Sequence, residues 1–487
     1  MLETVQAQPQ SFEQRLDNVP LTRVMWLLWA LSAGLIALDG FDFFIIGVAL
    51  PFLERDFDLG PGQVGAIAVA AIAGSLVGSL TLGPITDRVG RQRMLIVDIG
   101  LFVLATLGTA LAWNAASLIA FRFLVGVAIG ADYPISVAYI TENVPSRWRG
   151  RMVIGAFTFQ AVGAMLGAIA GLAILHLFEV AYPGSLDMVV RYSWRWMLGV
   201  GLGLAIAVGL LRLSFLLESP RYHIARGEYD EASKAATLLL DEPVALTPET
   251  DPPEREPALP YSAIFSDRYR RRTLLASLPW FLQDIATYGI GIFTPTILAA
   301  LAFAGESDFL HQAIASARGS AFVDLFLIAG FLIAVLLVER AGRMRLQIVG
   351  FVGMAVGLGI LAASQGVSSD LRLLLVFAGF LVFNLTMNAG PNATTFLLSG
   401  EVFPTAIRAS GAGFAAAIAK AGAVLGTFGL PILQTRLGVS WLLLGLALIC
   451  LLAAALTFAL RLETTGLSLE AVDAAENPLH LPPSQGG

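Results

Sequence analysis

The chain has 487 residues, of which 56% are hydrophobic and only 14% charged, and its formal net charge is −6. This composition is too apolar for a soluble globular protein, and the acidic balance argues against nucleic acid as a partner. The single cysteine, Cys450, excludes an internal disulfide, and the four histidines have no metal-ligand spacing. The sequence therefore predicts a polytopic membrane protein without a metal or other cofactor.

Twelve apolar stretches are long enough to cross a bilayer as helices. They lie at 24–50, 62–84, 95–113, 116–140, 150–178, 194–217, 273–300, 319–338, 346–364, 371–398, 408–434 and 439–461. We predict an all-α membrane protein with twelve transmembrane helices in two six-helix bundles. Its predicted segments are a cytoplasmic N-terminal segment (1–23), an N-terminal bundle (24–217), a charged, Pro-rich central linker (218–272), a C-terminal bundle (273–461) and a cytoplasmic tail (462–487).

Arginines are concentrated in every second connection between the predicted spans. The clusters are Arg88, Arg91 and Arg93; Arg147, Arg149 and Arg151; residues 268–272; and Arg340, Arg343 and Arg345. Because arginine-rich loops stay on the cytoplasmic side, these connections and both termini are predicted to be cytoplasmic. The predicted location is the plasma or inner membrane.

The two predicted bundles share three short motifs in the same order. "DRVGRQR" (87–93) returns as "ERAGRMR" (339–345), "ENVPSRWRG" (142–150) as "EVFPTAIR" (401–408), and "ESPR" (218–221) as "ETTG" (463–466). A duplication of this kind is typical of transporters whose substrate site lies near the midplane between the halves.

These motifs carry a family resemblance. "GPITDRVGRQRM" resembles the loop between helices two and three of the major facilitator superfamily, and "ESPRY" resembles the end of helix six in its sugar and phosphate porters. The resemblance implies that these polar residues gate the transporter rather than bind its substrate. The predicted gating residues are Asp87, Arg88, Gly90, Arg91, Glu142, Arg149, Glu218 and Arg221.

Several charged residues lie inside the predicted spans, where each is costly unless it is paired or faces water. In chain order they are Asp39 and Asp42 in span one, Asp98 in span three, Arg122 and Asp132 in span four, Asp284 in span seven and Lys420 in span eleven. Structural alternatives exist: Asp42 and Asp98 near an interface, and Arg122 with Asp132 as a structural pair. Lys420 is the hardest to explain structurally, because a lysine at a helix centre costs about 2.5–3.5 kcal/mol.

Two spans carry polar side chains at helical spacing. Trp280, Asp284 and Tyr288 follow one another at intervals of four residues, as do Asn384, Asn388 and Asn392. Interfacial aromatic residues and asparagines that hydrogen-bond between helices are the structural alternatives. Gly163, Gly167 and Gly171 have the same spacing and predict close helix packing.

A narrower resemblance is carried by "GVAIGADYPISVAYI", "WFLQDIATYG", "GPNATTFLLSGEVFPTAIRASGAG" and "AKAGA". These motifs are similar to those of the proton-coupled inorganic phosphate symporters. The resemblance implies that phosphate is held by Tyr133, Gln160, Trp280, Asp284, Tyr288, Asn392 and Lys420. It also implies a proton pathway that involves Asp39 or Asp42, Asp98, Asp132 and Asp284, with Arg122 as an associated cation.

Three departures from the phosphate pattern keep the cargo open. Ala131 replaces a glycine, Asp98 replaces a glutamate, and "LDGFDFFIIGVALPF" resembles organic-anion symporters as well. The alternatives are therefore a symporter of a carboxylate or phosphorylated metabolite, or a receptor that does not transport. An enzyme is not predicted, because there is no nucleophile–base pair or phosphate loop. The expected partners are a small anion, protons and membrane lipids, with a monomer as the working unit.

A proton requirement follows from the chemistry of the predicted site. Lys420 supplies a positive charge for a tetrahedral oxyanion, and the neutral side chains donate hydrogen bonds. Asp284 would repel the anion unless it is protonated or accepts from a protonated substrate oxygen. We expect Asp284 to neutralise Lys420 in the empty site, and dihydrogen phosphate with a proton to break this pair.

Overall fold

A computed structural model describes residues 11–465 except 90, 216, 253–259, 304–305, 307 and 404. Within this part, the side chains of 83–89, 91–93, 95, 131–135, 137–138, 141, 146, 225, 405–406 and 408–409 lie outside the description.

The described residues form helices joined by short connections. The α-helices are α1 (Phe12–Asn18), α2 (Arg23–Phe57), α3 (Pro61–Val89), α4 (Arg91–Ala110), α5 (Ala115–Asn143), α6 (Ser146–Ala181), α7 (Leu186–Ser214), α8 (Pro220–Arg226), α9 (Tyr229–Leu240), α10 (Arg270–Ile292), α11 (Thr294–Leu301), α12 (Phe309–Ala341), α13 (Arg343–Ala363), α14 (Ser369–Ala389), α15 (Pro391–Glu401), α16 (Thr405–Leu437) and α17 (Val439–Leu460). Two 3-10 helices lie at Tyr261–Phe265 and Ser364–Gly366. The predicted all-α fold class is confirmed.

Each of the twelve predicted spans coincides with one helix or with two consecutive helices. Among the described residues, nine helical segments are long and apolar enough to cross a membrane, with α14 and α15 counted as one. The pair α10 and α11, bent by 64°, makes a tenth. The third and fourth predicted spans correspond to shorter apolar segments, Ile96–Ala110 and Ala115–Gly130. The helix α2 begins and the helix α17 ends at the same end of the bundle, which we call the terminal end. We call the other end of the bundle the opposite end.

The helix contacts repeat between the first six spans and the last six. In the first half α2 packs on α6 and α3 on α5, and in the second half α10 packs on α16 and α12 on α14. The halves meet through two further pairs, α6 with α12 and α3 with α16. In the duplication α6 corresponds to α16 and α3 corresponds to α12, so each interface joins a second span to a fifth span. The two interfaces are therefore equivalent, as expected for an internal duplication.

The predicted N-terminal segment and linker pack against each other at the terminal end. Phe12 and Leu16 of α1 share a buried cluster with Leu239 of α9. The backbone N–H of Phe12 donates to Asp251 at 2.8 Å. These contacts attach the start of the chain to the connection between the two halves.

Glycines allow the central helices to approach closely, which confirms the predicted packing role of the glycine series. A Cβ atom on Gly163 would lie 1.9 Å from the carbonyl oxygen of Ala37 on α2, and one on Gly171 would lie 2.7 Å from Val48. In the second half, a Cβ on Gly422 would lie 2.2 Å from the carbonyl oxygen of Phe281. No side chain fits at Gly163 unless α2 and α6 move apart.

We expect Gly163→Ala to destabilise the protein by about 1–3 kcal/mol, because the new methyl group overlaps backbone atoms of α2. Thermal unfolding in detergent measures the effect. Gly199→Ala is the matched control, since nothing lies within 4 Å of a Cβ built at Gly199 on α7. Equal melting temperatures for the two variants would contradict the predicted contact.

Candidate functional site

A cavity lies between the two halves, near the middle of the long helices. Its walls come from α2, α3, α5 and α6 on one side and from α10, α12, α14, α15 and α16 on the other, and it encloses about 1170 Å³, including space open to solvent. Six of the seven predicted substrate-binding residues line it: Gln160, Trp280, Asp284, Tyr288, Asn392 and Lys420. The structure thus gathers these six side chains from three separate helices of the second half and one of the first.

Lys420 is held against aromatic side chains. Its Nζ donates a hydrogen bond to Tyr288 Oη at 3.0 Å. The same atom lies 4.8 Å from the ring centroid of Tyr288 and 5.7 Å from that of Phe43. Contacts of this kind stabilise a cation in an apolar site. They also leave donor hydrogens of the ammonium group free to bind an anion.

Asp284 is 3% exposed and lies one helical turn from both Trp280 and Tyr288. The indole of Trp280 acts on its carboxylate. No ion pair within 4.0 Å joins Lys420 to a described carboxylate, and Asp284 and Asp39 act on it from greater distance. Asp284 therefore acts on Lys420 from beyond 4.0 Å, and the direct hydrogen bond of Lys420 is the one to Tyr288.

The three asparagines of α14 and α15 have different neighbours. Asn384 and Asn388 donate to backbone carbonyls of α12, at 3.0 and 2.9 Å, which is the structural role given as the alternative. Asn392 lines the cavity and donates to Asn388 Oδ1 at 2.7 Å. Its own oxygen accepts from Gln283 at 2.9 Å. The amide of Asn392 is therefore fixed in orientation toward the cavity.

The break between α14 and α15 places Asn392 in the first turn of α15. A Cβ on Gly390 would lie 2.4 Å from the carbonyl oxygen of Leu346, so only glycine fits there. Pro391 then starts α15 with a backbone nitrogen that has no hydrogen to donate. The sequence "AGPN" thus ends one helix and begins another beside the cavity.

Aromatic rings cross from one half to the other on the terminal side of the cavity. Phe157 of α6 and Phe396 of α15 have ring centroids 4.5 Å apart, and Trp280 contacts Phe396 at 6.1 Å. On the far side of Lys420, Phe43 meets Tyr288 edge to face at 5.9 Å. The charged and amide groups therefore lie between two aromatic layers.

The predicted proton-pathway residues occupy two places. Asp39 lines the cavity, whereas Asp42 pairs with Arg122, with Nη2 and Oδ2 3.6 Å apart. Arg122 is fully buried, and its partner is thus Asp42 on α2. Asp98 is 2% exposed on α4 and is not a cavity residue. Span one therefore supplies one carboxylate to the cavity and another to a buried ion pair.

The predicted gating residues that are described lie at the terminal end. Glu142 and Glu218 lie within electrostatic range of the Tyr139 hydroxyl, which donates to the carbonyl of Leu217. Arg221 pairs with Glu13 of the N-terminal segment at 2.5 Å. Arg149 is half-buried at the start of α6.

The repeat of this region in the second half is described except for residues 404 and 466 and the side chains of 405–406 and 408. Arg343 binds Glu339 at 2.7 Å and Glu401 at 3.1 Å. Glu463 accepts from the backbone N–H groups of Arg343 and Met344 at the start of α13. Gly342 has φ +86°, and a Cβ there would lie 2.8 Å from Glu463. The three repeated motifs of this half therefore form one polar network.

Several predicted residues lie outside the described side chains. They are Tyr133 among the substrate-binding residues, Asp132 among the proton-pathway residues, and Asp87, Arg88, Gly90 and Arg91 among the gating residues.

Three residues of interest were missed by the sequence analysis. Gln283 is fully buried and orients Asn392, and it adjoins Asp284 in the quoted motif. Phe43 contacts Tyr288 and Lys420, but nothing distinguishes it among the phenylalanines of span one. Asp324, 6% exposed on α12, is a carboxylate inside a predicted apolar span. The same signal, a charge inside an apolar span, identified Asp284.

Comparisons with known proteins agree with this architecture. The profile of the family described as "Sugar (and other) transporter" matches residues 27–475. The chain is 31% identical over 447 residues to the putative metabolite transport protein YaaU of Escherichia coli strain K12, covering 91% of this chain and 93% of that protein. It is 32% identical over 453 residues to the probable inorganic phosphate transporter 1-9 of Oryza sativa subsp. japonica, covering 84% and 77%.

Among solved structures, the fold is similar to that of the xylose transporter XylE from E. coli in a partially occluded inward-open conformation. The TM-score is 0.73 at 19% identity, and the match covers 92% of this chain and 100% of that chain. At this identity the likeness shows the fold.

Proposed function

Because the chain belongs to the sugar (and other) transporter family of the major facilitator superfamily, we propose that it is a proton-coupled symporter that imports inorganic phosphate by alternating access. The observation that carries this proposal is the position of Lys420, a cation in the central cavity whose neighbours are hydrogen-bonding side chains. The sequence resemblance to phosphate symporters and the rice relative support the same cargo.

Phosphate recognition is assigned to a cation and a set of neutral donors. Lys420 provides the counter-charge, and Gln160, Trp280, Tyr288 and Asn392 face the same cavity. Hydrogen bonds from charged donors to oxyanions are roughly twice as strong as neutral ones. The aromatic layers on both sides exclude water and thereby strengthen these interactions.

Proton coupling is inferred from the charges around Lys420. Asp39 and Asp284 both act on this one cation, so the described side chains bring one positive and at most two negative charges to the site. Adding dihydrogen phosphate increases the negative charge, which is costly in a buried site. A proton taken up with the substrate compensates for it. In the empty site, Lys420 is then bound to Tyr288, and its positive charge is shared between the two carboxylates.

The orientation and the working unit belong to the same proposal. The arginine-rich connections support cytoplasmic termini in a bacterial-type inner membrane or a plasma membrane. The cavity is built by one chain, which supports a monomer as the functional unit. The terminal end is then the cytoplasmic end.

The test is uptake of radiolabelled phosphate into proteoliposomes of the pure protein, with and without an inward proton gradient. Accumulation that requires the gradient is expected, and competition by sulfate or larger organic phosphates should be weak. Absence of uptake by folded protein would refute phosphate as the cargo.

A second cargo, an organic anion, is favoured by the aromatic lining. Phe43, Phe157, Trp280, Tyr288 and Phe396 offer ring surfaces that inorganic phosphate does not use. A carboxylate with an apolar body would use both Lys420 and these rings. Strong competition by aromatic carboxylates in the same assay would select this alternative.

A further inference from the structure

Asp324 is a buried carboxyl group that the proposed binding step does not use. It lies near the middle of α12, which is long and apolar enough to cross a membrane. It is 6% exposed and has no hydrogen bond or ion pair with any residue in the described part of the chain. Ionisable residues inside a span are costly and usually functional.

Asp324 lies on the same face of α12 as two cavity residues. Phe331 follows it by seven residues, which is about two turns and about 10 Å along the helix, and the two side chains project within about 20° of each other. Leu327 lies between them, and both Leu327 and Phe331 line the cavity. Asp324 is thus displaced from the cavity toward the opposite end.

The two halves are in close contact at that end. The helix α12 packs along α6 of the first half, and His311 of α12 reaches Glu179 of α6 at 3.5 Å. A Cβ on Gly47 of α2 would lie 2.0 Å from the carbonyl oxygen of Ile292 on α10. With the halves in contact there, the side chain of Asp324 is 6% exposed.

No cation is placed to neutralise Asp324 among the described residues. The spans that pack on α12 are α2, α6, α11, α13, α14 and α15. Away from their first and last two turns, only α2 carries charged side chains, Asp39 and Asp42, and Asp42 already pairs with Arg122. On α12 itself, Arg318 is exposed and projects about 120° away from Asp324.

We propose that Asp324 is a proton-binding site separate from the substrate site, and that it must take up a proton before the two halves close at the opposite end. The inference rests on the proposed proton-coupled function. When the halves separate there, α6 moves away from α12 and water reaches the carboxylate, which binds a proton from that side. Closing removes this water, and in the absence of a cation a proton is the least costly partner. The proton is then released toward the cavity, which begins one helical turn away at Leu327.

The test compares two transport modes of Asp324→Asn in proteoliposomes. Each coupled proton multiplies the accumulation ratio by about ten per pH unit across the membrane. With a gradient of about one pH unit, accumulation of phosphate should fall about tenfold. Exchange of internal for external phosphate without a gradient should continue, because the neutral amide permits closure. Asp324→Glu should restore accumulation, and Asp370→Asn, an exposed carboxylate at the start of α14, is the matched control.

Accumulation by Asp324→Asn equal to that of the unchanged protein would overturn the inference. If the unchanged protein itself does not accumulate phosphate, the cargo proposal fails, and infrared difference spectroscopy of the purified proteins then decides about Asp324. A carboxylic C=O band that titrates with pH should be missing from Asp324→Asn, and identical spectra would refute the proton site. The same spectra decide the matter if the variant loses both transport modes.

Discussion

Lys420→Ala should abolish phosphate uptake while the protein remains folded. Lys420 is the one lysine within the cavity lining, and its ammonium group contacts Tyr288 and Phe43 rather than a carboxylate. A hydrogen bond from a charged group contributes about 1.5–3 kcal/mol, so its loss should weaken phosphate binding by roughly 10- to 150-fold. Equilibrium binding to purified protein and uptake into proteoliposomes measure the two effects separately.

The sequence contains a matched control for this experiment. Lys234, the other lysine of the chain, is exposed on α9 and pairs with Glu231, so Lys234→Ala should bind and transport phosphate normally. Lys420→Arg keeps the charge but replaces a compact ammonium by a planar guanidinium, which should bind more weakly than lysine in a site of this shape. Full activity of Lys420→Ala would remove the basis of the proposed function.

Much of the fold was predictable because membrane spans have strong sequence signals. A helix that crosses lipid must satisfy its backbone internally and carry about 20 apolar residues, so length and hydropathy located the spans. The break at Gly390 and Pro391 was also predictable, because proline cannot continue the backbone hydrogen bonding of α14. The bend of 64° between α10 and α11 was not predicted, since 273–300 reads as one apolar run.

The candidate site was predictable where a charge interrupts an apolar segment. Asp284 and Lys420 stand out in this way, and helical spacing adds Trp280 and Tyr288 to the same face. The partner of Arg122 was not predictable, because pairing between spans depends on how helices rotate against one another. Asp42 on α2 faces Arg122 in the structure, whereas the side chain of Asp132 lies outside the description.

The asparagine series shows the limit of spacing arguments. Asn384, Asn388 and Asn392 share one helical face in the sequence, yet the first two join α14 to α12, whereas Asn392 is oriented by Gln283. Asn388 and Asn392 both line the cavity. The helix break after Asn388 separates their roles. Spacing identifies a polar face, whereas the neighbouring helix determines whether that face binds protein or substrate.

Asp284→Asn is expected to uncouple binding from proton movement. The amide has the shape of the carboxylate but cannot carry a proton, and it no longer repels the anion. Phosphate should therefore bind at least as tightly as in the unchanged protein, and the dependence of binding on pH should weaken. Gradient-driven accumulation should fall, because the charge that required this proton is gone. Binding measured at several pH values, together with uptake, tests both parts.

The result for Asp284→Asn separates two readings of the charges around Lys420. If Asp284 serves only to hold Lys420 in place, its removal should weaken phosphate binding at every pH, in the same way as a loss of Lys420. If it opposes the anion until a proton arrives, binding should survive and coupling should not. Asp267→Asn, at an exposed carboxylate outside the bundle, controls for unspecific effects of charge. The hydrogen bond from Lys420 to Tyr288 favours the second outcome, because a lysine bound to Tyr288 does not need the carboxylate to stay in position.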